Sequence, residues 1–208
     1  MGKPSILYRN PKLYIFALKL LHKKNFHKRY KYMVSFVSKG DSVLEPACGP
    51  GVLAEYLSRG VSYSGFDTNK YFIDYALKKN LNAKIANVLD LKSFKKSDIV
   101  ITCDILHHLN PKNRKKFIEN CYKSAKKIFI VCEPEDKNSK KNSSVFFSRF
   151  LTEWLESDGT NSVKLDYFFK HKELLQFINN GFDVIPKSIK RVVKRFGEDI
   201  VAVYFKNS

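Results

Sequence analysis

From Asp41 onward the chain alternates short apolar runs with stretches of helical periodicity, a pattern that few architectures can accommodate. Ser42–Glu45 reads as a buried strand, followed by a glycine turn and a helix over Val52–Ser58. Tyr63–Phe66 is a second strand, with a helix from Asn69 to Lys79, and Ala83–Val88 is a third. Asp98–Cys103 is a fourth, after which Asn110-Pro111 caps a helix carrying Phe117, Ile118, Cys121 and Ala125 on one face. Ile128–Cys132 is a fifth strand. Strands alternating with helices imply parallel βαβ units joined by right-handed crossovers. A helix over Lys172–Asn179 then stops at Gly181. Two closing strands are predicted near Phe182–Ile185 and Ile200–Phe205, joined by the basic run Lys187–Arg195.

Two segments depart from this alternation. Met1–Lys39 contains no Asp or Glu and ten Lys or Arg residues. Asn10-Pro11 opens a helix running to about His22, and Asn25 caps a second, on which Phe26, Tyr30, Met33, Val34 and Val37 recur at helical spacing. That stripe must be covered, either by the core or in a membrane interface. Glu133–His171 begins polar and turns aromatic, as expected of a lid or binding insertion after a strand's carboxyl end. The expected organisation is a basic helical cap over residues 1–40 and an α/β domain over 41–208, with a lid at 135–171. A chain of 208 residues leaves little room for another domain.

Lys and Arg number 38 against 20 Asp and Glu, a net charge of +18 that attracts nucleic acid, anionic membrane or acidic substrate. The chain is also rich in Lys, Asn, Ile and Phe together, as AT-biased codon usage produces, so a solvated basic surface without a partner is the competing reading. That bias does not account for the scarcity of acid. The four cysteines (Cys48, Cys103, Cys121 and Cys132) lie in or beside apolar runs without a disulfide-framework spacing, which suits a reducing compartment. The apolar stretch Leu13–Leu21 is interrupted by Lys19 and too short to span a bilayer. A soluble, cytoplasmic protein is expected.

The chemistry concentrates in Val43-Leu44-Glu45-Pro46-Ala47-Cys48-Gly49-Pro50-Gly51, between strand and helix, where backbone must pass close to a ligand. Gly49-x-Gly51-x-x-Ala54 also satisfies the dinucleotide fingerprint, so the glycines alone do not choose between NAD and S-adenosylmethionine (SAM). Glu45 helps to choose. A carboxylate there suits a cationic amino group and would repel a pyrophosphate. About 40 residues before the first strand, no room for a substrate domain, and two strands after the fifth βα unit also argue against a dehydrogenase.

The stretch Leu44–Gly51 resembles the first motif of class I SAM-dependent methyltransferases, and Tyr63-Ser64-Gly65-Phe66-Asp67 resembles the second. Asp98–Leu109, with Leu106-His107-His108-Leu109, is similar to the family's fourth strand and the segment following it. His171–Phe182 resembles the entry to its sixth. The resemblance implies a Rossmann-like, doubly wound, seven-stranded sheet of order 3-2-1-4-5-7-6, mostly parallel with the last strand antiparallel, behind an N-terminal helical cap. It implies SAM held by Glu45, Ala47, Cys48, Gly49, Gly51, Asp67, Thr68, Asn87, Val88, Cys103 and Asp104. Asp67 takes the ribose hydroxyls and Glu45 the methionine end. Asn87 stands where Asp is common, and its carbonyl can still accept from the adenine amino group.

His107 and His108 are the candidate catalytic residues, either as a base for an acceptor hydroxyl or amine or as packing over the cofactor. The packing reading is favoured, because an activated sulfonium needs mainly alignment. Cys48, Cys103 and Cys132 end neighbouring strands and read as a soft-metal site or as small buried fillers; no metal is expected. Cys103-Asp104-Ile105-Leu106 lacks the Asn/Asp-Pro-Pro-Tyr/Phe pattern, which weighs against nucleobase amines and glutamine as acceptors. The expected function is methyl transfer to a small-molecule or lipid-like acceptor. The alternatives are an RNA or protein methyltransferase using the basic surface and a non-catalytic SAM-binding protein. An anionic membrane surface or RNA is the expected partner of the basic patches.

Overall fold

The computed structural model describes residues 5–136, 169–170 and 172–206. Most of the expected lid, 137–168 and 171, lies outside the described residues. Three helices come first: α1 (Ile6–Arg9), α2 (Pro11–His22) and α3 (Asn25–Val34). Asn10 accepts from the Leu13 amide and Pro11 opens α2, as its φ and missing N–H favour. Asn25 is the first residue of α3 rather than its side-chain cap, and the helix ends at Val34, before Gly40.

The sheet comprises β1 (Ser42–Pro46), β2 (Ser62–Asp67), β3 (Ala83–Ile85), β4 (Ser97–Cys103), β5 (Ala125–Asp136), β6 (Phe169–Lys170), β7 (Arg191–Phe196) and β8 (Asp199–Phe205). Its order is β3-β2-β1-β4-β5-β8-β7, and the two-residue β6 lies alongside the end of β5. β1 to β5 run parallel, while β8 is antiparallel to both β5 and β7. This is the expected topology, with β7 and β8 as the closing pair. Helices α4 (Lys70–Lys78), α5 (Pro111–Ser124) and α6 (Glu173–Asn179) complete it.

Side chains alternate across the strands, so the sheet has two apolar faces. Leu44, Val100, Phe129, Val131, Ala202 and Tyr204 pack with Phe117 and Ile118 of α5 and Leu174 and Ile178 of α6. Val43, Ile99, Ile101, Ile130, Val201 and Val203 pack with Phe26, Tyr30 and Met33 of α3. The α3 stripe is therefore covered by the sheet, the first of the two fates open to it.

Three elements differ from the sequence reading. The helix expected over Val52–Ser58 is a single 3-10 turn, Leu53–Tyr56, because Pro50 and left-handed Gly51 consume the start of the crossover. Phe182–Ile185 is not a strand. Gly181–Asp183 is a 3-10 turn with Phe182 at φ 52, and both Phe182 and Ile185 are core residues, so their apolarity marks burial and not extension. The closing strand lies instead in the basic run. β7 is an edge strand exposed along most of its length, so its sequence Arg191-Val192-Val193-Lys194-Arg195-Phe196 need not be apolar. Gly197, at φ 67, and Glu198 close a two-residue hairpin to β8.

Candidate active site

The carboxyl ends of β1, β2, β4 and β5 converge on one edge of the sheet, as in open α/β folds that bind ligands there. After β1 the chain passes through Ala47 at φ 57, Gly49 at φ 53 and Gly51 at φ 75. The φ of Gly51 favours glycine there, and a Cβ would also push on the end of the Leu81 side chain, 2.4 Å away. The turn is tied to β2: the Cys48 amide donates to the Phe66 carbonyl at 3.0 Å and the Gly49 amide to Asp67 Oδ2 at 2.9 Å. Gly65 matters for the same junction, since a Cβ there would sit 2.8 Å from the Cβ of Cys48.

Asp67 Oδ1 also accepts from the Asn69 amide at 2.8 Å. It does not cap α4. Asn69 does, accepting from the amides of Tyr71 and Phe72. Thr68 is exposed beside it. Asn87 is exposed, and its side-chain oxygen accepts from the Leu89 amide at 2.8 Å, leaving a second acceptor lone pair. With Leu89, Asp90, Leu91, Lys92 and Lys116 it lines an open groove of about 690 Å³, while the neighbouring Val88 is in the core.

Glu45 is buried, and Tyr63 donates to its Oε2 at 2.6 Å. Burial pushes its carboxyl up to about 8, against the pull of that hydrogen bond and with the help of the Asp67 charge. The native state thus keeps a proton that an unfolded chain loses above its ordinary value of 4.5, so this group lowers stability as pH rises from there to about 8. Glu45, Ala47, Cys48 and Gly49 share a small cavity of about 30 Å³ with Cys103 and Asp104, and Tyr14 and Leu18 of α2 and Tyr30 of α3 close it. The helices are latched there: Asn69 Nδ2 donates to the Tyr8 carbonyl at 2.8 Å, and the Tyr8, Tyr14 and Phe72 rings pack together.

Asp104, at φ 55 just past β4, receives both ends of the Arg29 guanidinium at 2.8 and 2.7 Å. Arg29 is fully buried and lies 3.4 Å from Asp199 Oδ1, while His22 Nδ1 bonds Asp199 Oδ2 at 2.9 Å. Burial works to raise the Asp104 carboxyl, but the Arg29 charge and hydrogen bonds, together with the nearby His22 and His107, hold it below the usual range. Among the described residues two groups bring metal-ligand atoms within 4.8 Å of one another: Cys103, Asp104 and Cys132, and His22, Asp104 and Asp199. The guanidinium already supplies a cation to both carboxylates. Cys103 and Cys132 are register partners on β4 and β5, and Cys48 sits beneath the first turn against Gly65.

His107 and His108 lie on a 3-10 turn, Leu106–His108, and neither lines the small cavity. Buried Glu133, ending the core of β5, accepts from the amides of Ile105, Leu106 and His107 at 3.0–3.1 Å and pairs with His107 Nδ1. His108 Nε2 faces the Tyr8 hydroxyl at 3.2 Å. The sequence reading missed Arg29, Tyr63 and Glu133. Arg29 was legible as the cation inside the stripe Phe26, Arg29, Tyr30, Met33, at spacing i, i+3, i+4, i+7. Glu133 was legible as a carboxylate ending a strand, like Glu45 and Asp67.

Residues 43–127 match a family model described as a methyltransferase domain. The match runs from β1 to the start of β5 and takes in the glycine turn, Asp67 and the two histidines. The fold around that domain is shared with solved structures. Human N-acetylserotonin methyltransferase in complex with SAM has a TM-score of 0.63 at 12% identity, over 97% of this chain and 58% of that one. Magnesium protoporphyrin IX methyltransferase from Synechocystis with bound SAH gives 0.58 at 14%, over 87% and 81%. A SAM-dependent methyltransferase from Methanosarcina mazei gives 0.55 at 18%, over 84% and 94%. At these identities the likeness is one of fold. The chain spans 56–58% of the length of the first three solved structures it resembles. No curated protein matches it in sequence. Among the described residues no helix is long and apolar enough to cross a membrane.

Proposed function

We propose that the protein transfers a methyl group from SAM to a small-molecule or lipid-like acceptor. The observation that carries this is the buried Glu45 carboxyl beside the left-handed Ala47–Gly51 turn, with Asp67 bracing the other side. A carboxyl at this depth is short of a cation, and the α-ammonium of SAM is a cation of the right size on the right side of the turn. The same residue set fits the rest of the molecule: Asp67 the ribose hydroxyls, Asn87 and Val88 the adenine, and Ala47, Cys48, Gly49, Gly51, Thr68, Cys103 and Asp104 the remaining wall. When bound, SAM supplies an activated methyl group on a sulfonium.

The chain's own contribution is alignment and exclusion of water. Residues 1–40 serve as the cap, since Tyr14, Leu18 and Tyr30 close the cavity, and α2 must shift to admit ligand into about 30 Å³. His107, clamped by Glu133, orients the turn, and His108 packs against Tyr8 of the cap. A cavity closed by the chain's own helices favours a small or threaded acceptor over a folded macromolecule.

Calorimetry should show one SAM per chain, and labelled SAM should be turned over with a metabolite or lipid pool in preference to total RNA. Binding of NAD without SAM would end the reading, and turnover on RNA alone would replace the acceptor class. Binding should also release a proton near neutral pH, because the ammonium favours the Glu45 carboxylate over its acid form. Affinity then rises with pH towards about 8, where the SAM amine, with an ordinary pKa of roughly 8, begins to lose its own charge. Enthalpies measured at pH 7 in buffers of different ionisation heat test this. Glu45→Gln should abolish the buffer dependence, and identical enthalpies for the wild type would refute the assignment.

A further inference from the structure

The cap helix α2 has two apolar faces. One, through Tyr14 and Leu18, closes the cavity. The other is bare. Leu13 is 37% exposed, Phe16 57%, Leu20 60% and Leu21 66%, and no residue of α2 is buried. At 100° per residue Phe16, Leu20 and Leu13 fall on a single outward stripe, with Lys12 and Lys19 together on one flank. Ile6, on the preceding turn, is also exposed. Four large apolar side chains on one amphipathic helix need a partner.

Charge identifies the partner's chemistry. Arg9, Lys12, Lys19, Lys23, Lys24, Lys28 and Lys31 are all exposed on α1 to α3, and no acid lies anywhere in Met1–Lys39. Arg29 is neutralised internally by Asp104. An apolar stripe edged by lysines without a compensating acid is the arrangement of a helix that lies in the interface of an anionic bilayer. A second copy of this chain would bring the same positive field against itself, which disfavours self-association through this face.

We infer that α2 docks the protein on an anionic lipid surface, with Leu13, Phe16 and Leu20 entering the headgroup–acyl boundary and the flanking lysines meeting lipid phosphates. Because the inner face of the same helix closes the cavity, docking would bring the cavity mouth to the bilayer and let α2 shift as it embeds. That link deepens, and rests on, the methyl-transfer reading; the docking itself does not.

The test is sedimentation of the full chain with vesicles of phosphatidylcholine alone or with about 30% phosphatidylglycerol, alongside SAM calorimetry. Wild type should bind the anionic vesicles at least ~10-fold more tightly, and binding should weaken steeply with salt. The double variant Phe16→Ser, Leu20→Ser should lose vesicle binding. Lys12→Glu, Lys19→Glu should lose roughly fivefold or more per charge removed. Both variants change exposed side chains that lie outside the cavity, so both should keep SAM affinity within about twofold. Equal binding of both vesicle types, or unchanged binding in the serine variant, overturns the proposal. So does a concentration-dependent dimer that the serine variant abolishes, or salt-sensitive RNA binding without vesicle binding. Loss of SAM binding in the wild type would sink the methyl-transfer reading and leave docking standing.

Discussion

Replacing Arg29 with Met is expected to destabilise the protein by about 3–5 kcal/mol, the usual cost of removing one partner from a buried ion pair. The guanidinium has no exposed surface and serves two carboxylates, Asp104 at 2.7–2.8 Å and Asp199 at 3.4 Å. Met fills much of the same volume and restores none of the charge. The two acids would then face one another in a poorly hydrated space, with the His22 ring bonded to Asp199. In the wild type Asp104 titrates below the usual range, so it adds stability above pH of about 4 that is lost on acidification. Without Arg29 the sign reverses: burial, no longer opposed by the guanidinium, raises the Asp104 carboxyl, and the variant should gain relative stability as pH falls towards 5. Chemical denaturation at pH 5 and pH 7.5 measures both effects. A loss below about 1 kcal/mol at either pH would mean that the buried pair contributes little. Adding Asp104→Asn and Asp199→Asn should return part of the stability, since the cost lies in the stranded charges.

The centre of the parallel half was legible because β4 and β5 carry continuous apolar runs, Ile99–Ile101 and Ile128–Val131, and because Asn69 and Asn110 cap the helices α4 and α5. The antiparallel closing strand was not. β7 lies at the sheet edge, where pairing is made by backbone and the side chains can be Arg and Lys, so an apolarity rule passes over it. Phe182 and Ile185 misled for the complementary reason, being core residues on a turn. The same division holds at the site. Gly49, Gly51 and Asp67 announce themselves by position relative to a strand end. Arg29 contributes through a contact 75 residues distant in sequence, and in a segment holding ten basic residues only its place inside the Phe26, Tyr30, Met33 stripe sets it apart.

The SAM-binding assignment makes its sharpest demand on Asp67 and Gly49. Asp67 ends β2 with Oδ2 on the Gly49 amide and Oδ1 on the Asn69 amide, so one carboxylate braces both turns against which the nucleoside would lie. Asp67→Ala should weaken SAM binding by ~10- to 100-fold, because hydrogen bonds to a charged acceptor are worth about 1.5–3 kcal/mol. Asp67→Asn separates bracing from charge. The amide keeps an acceptor oxygen for one backbone donor but presents an NH₂ group to the other, so its affinity should fall between those of alanine and wild type. Gly49→Val acts on backbone approach. Its φ of 53 disfavours any side chain, and a β-branched one most of all. The space beside it is nearly open, with Phe72 3.9 Å from the position of a Cβ, so the protein should still fold while the added bulk obstructs the cofactor wall. Calorimetry of Gly49→Val should give no detectable SAM binding, with cooperative thermal unfolding retained. Wild-type affinity in folded Asp67→Ala and Gly49→Val proteins would place the cofactor elsewhere on the sheet.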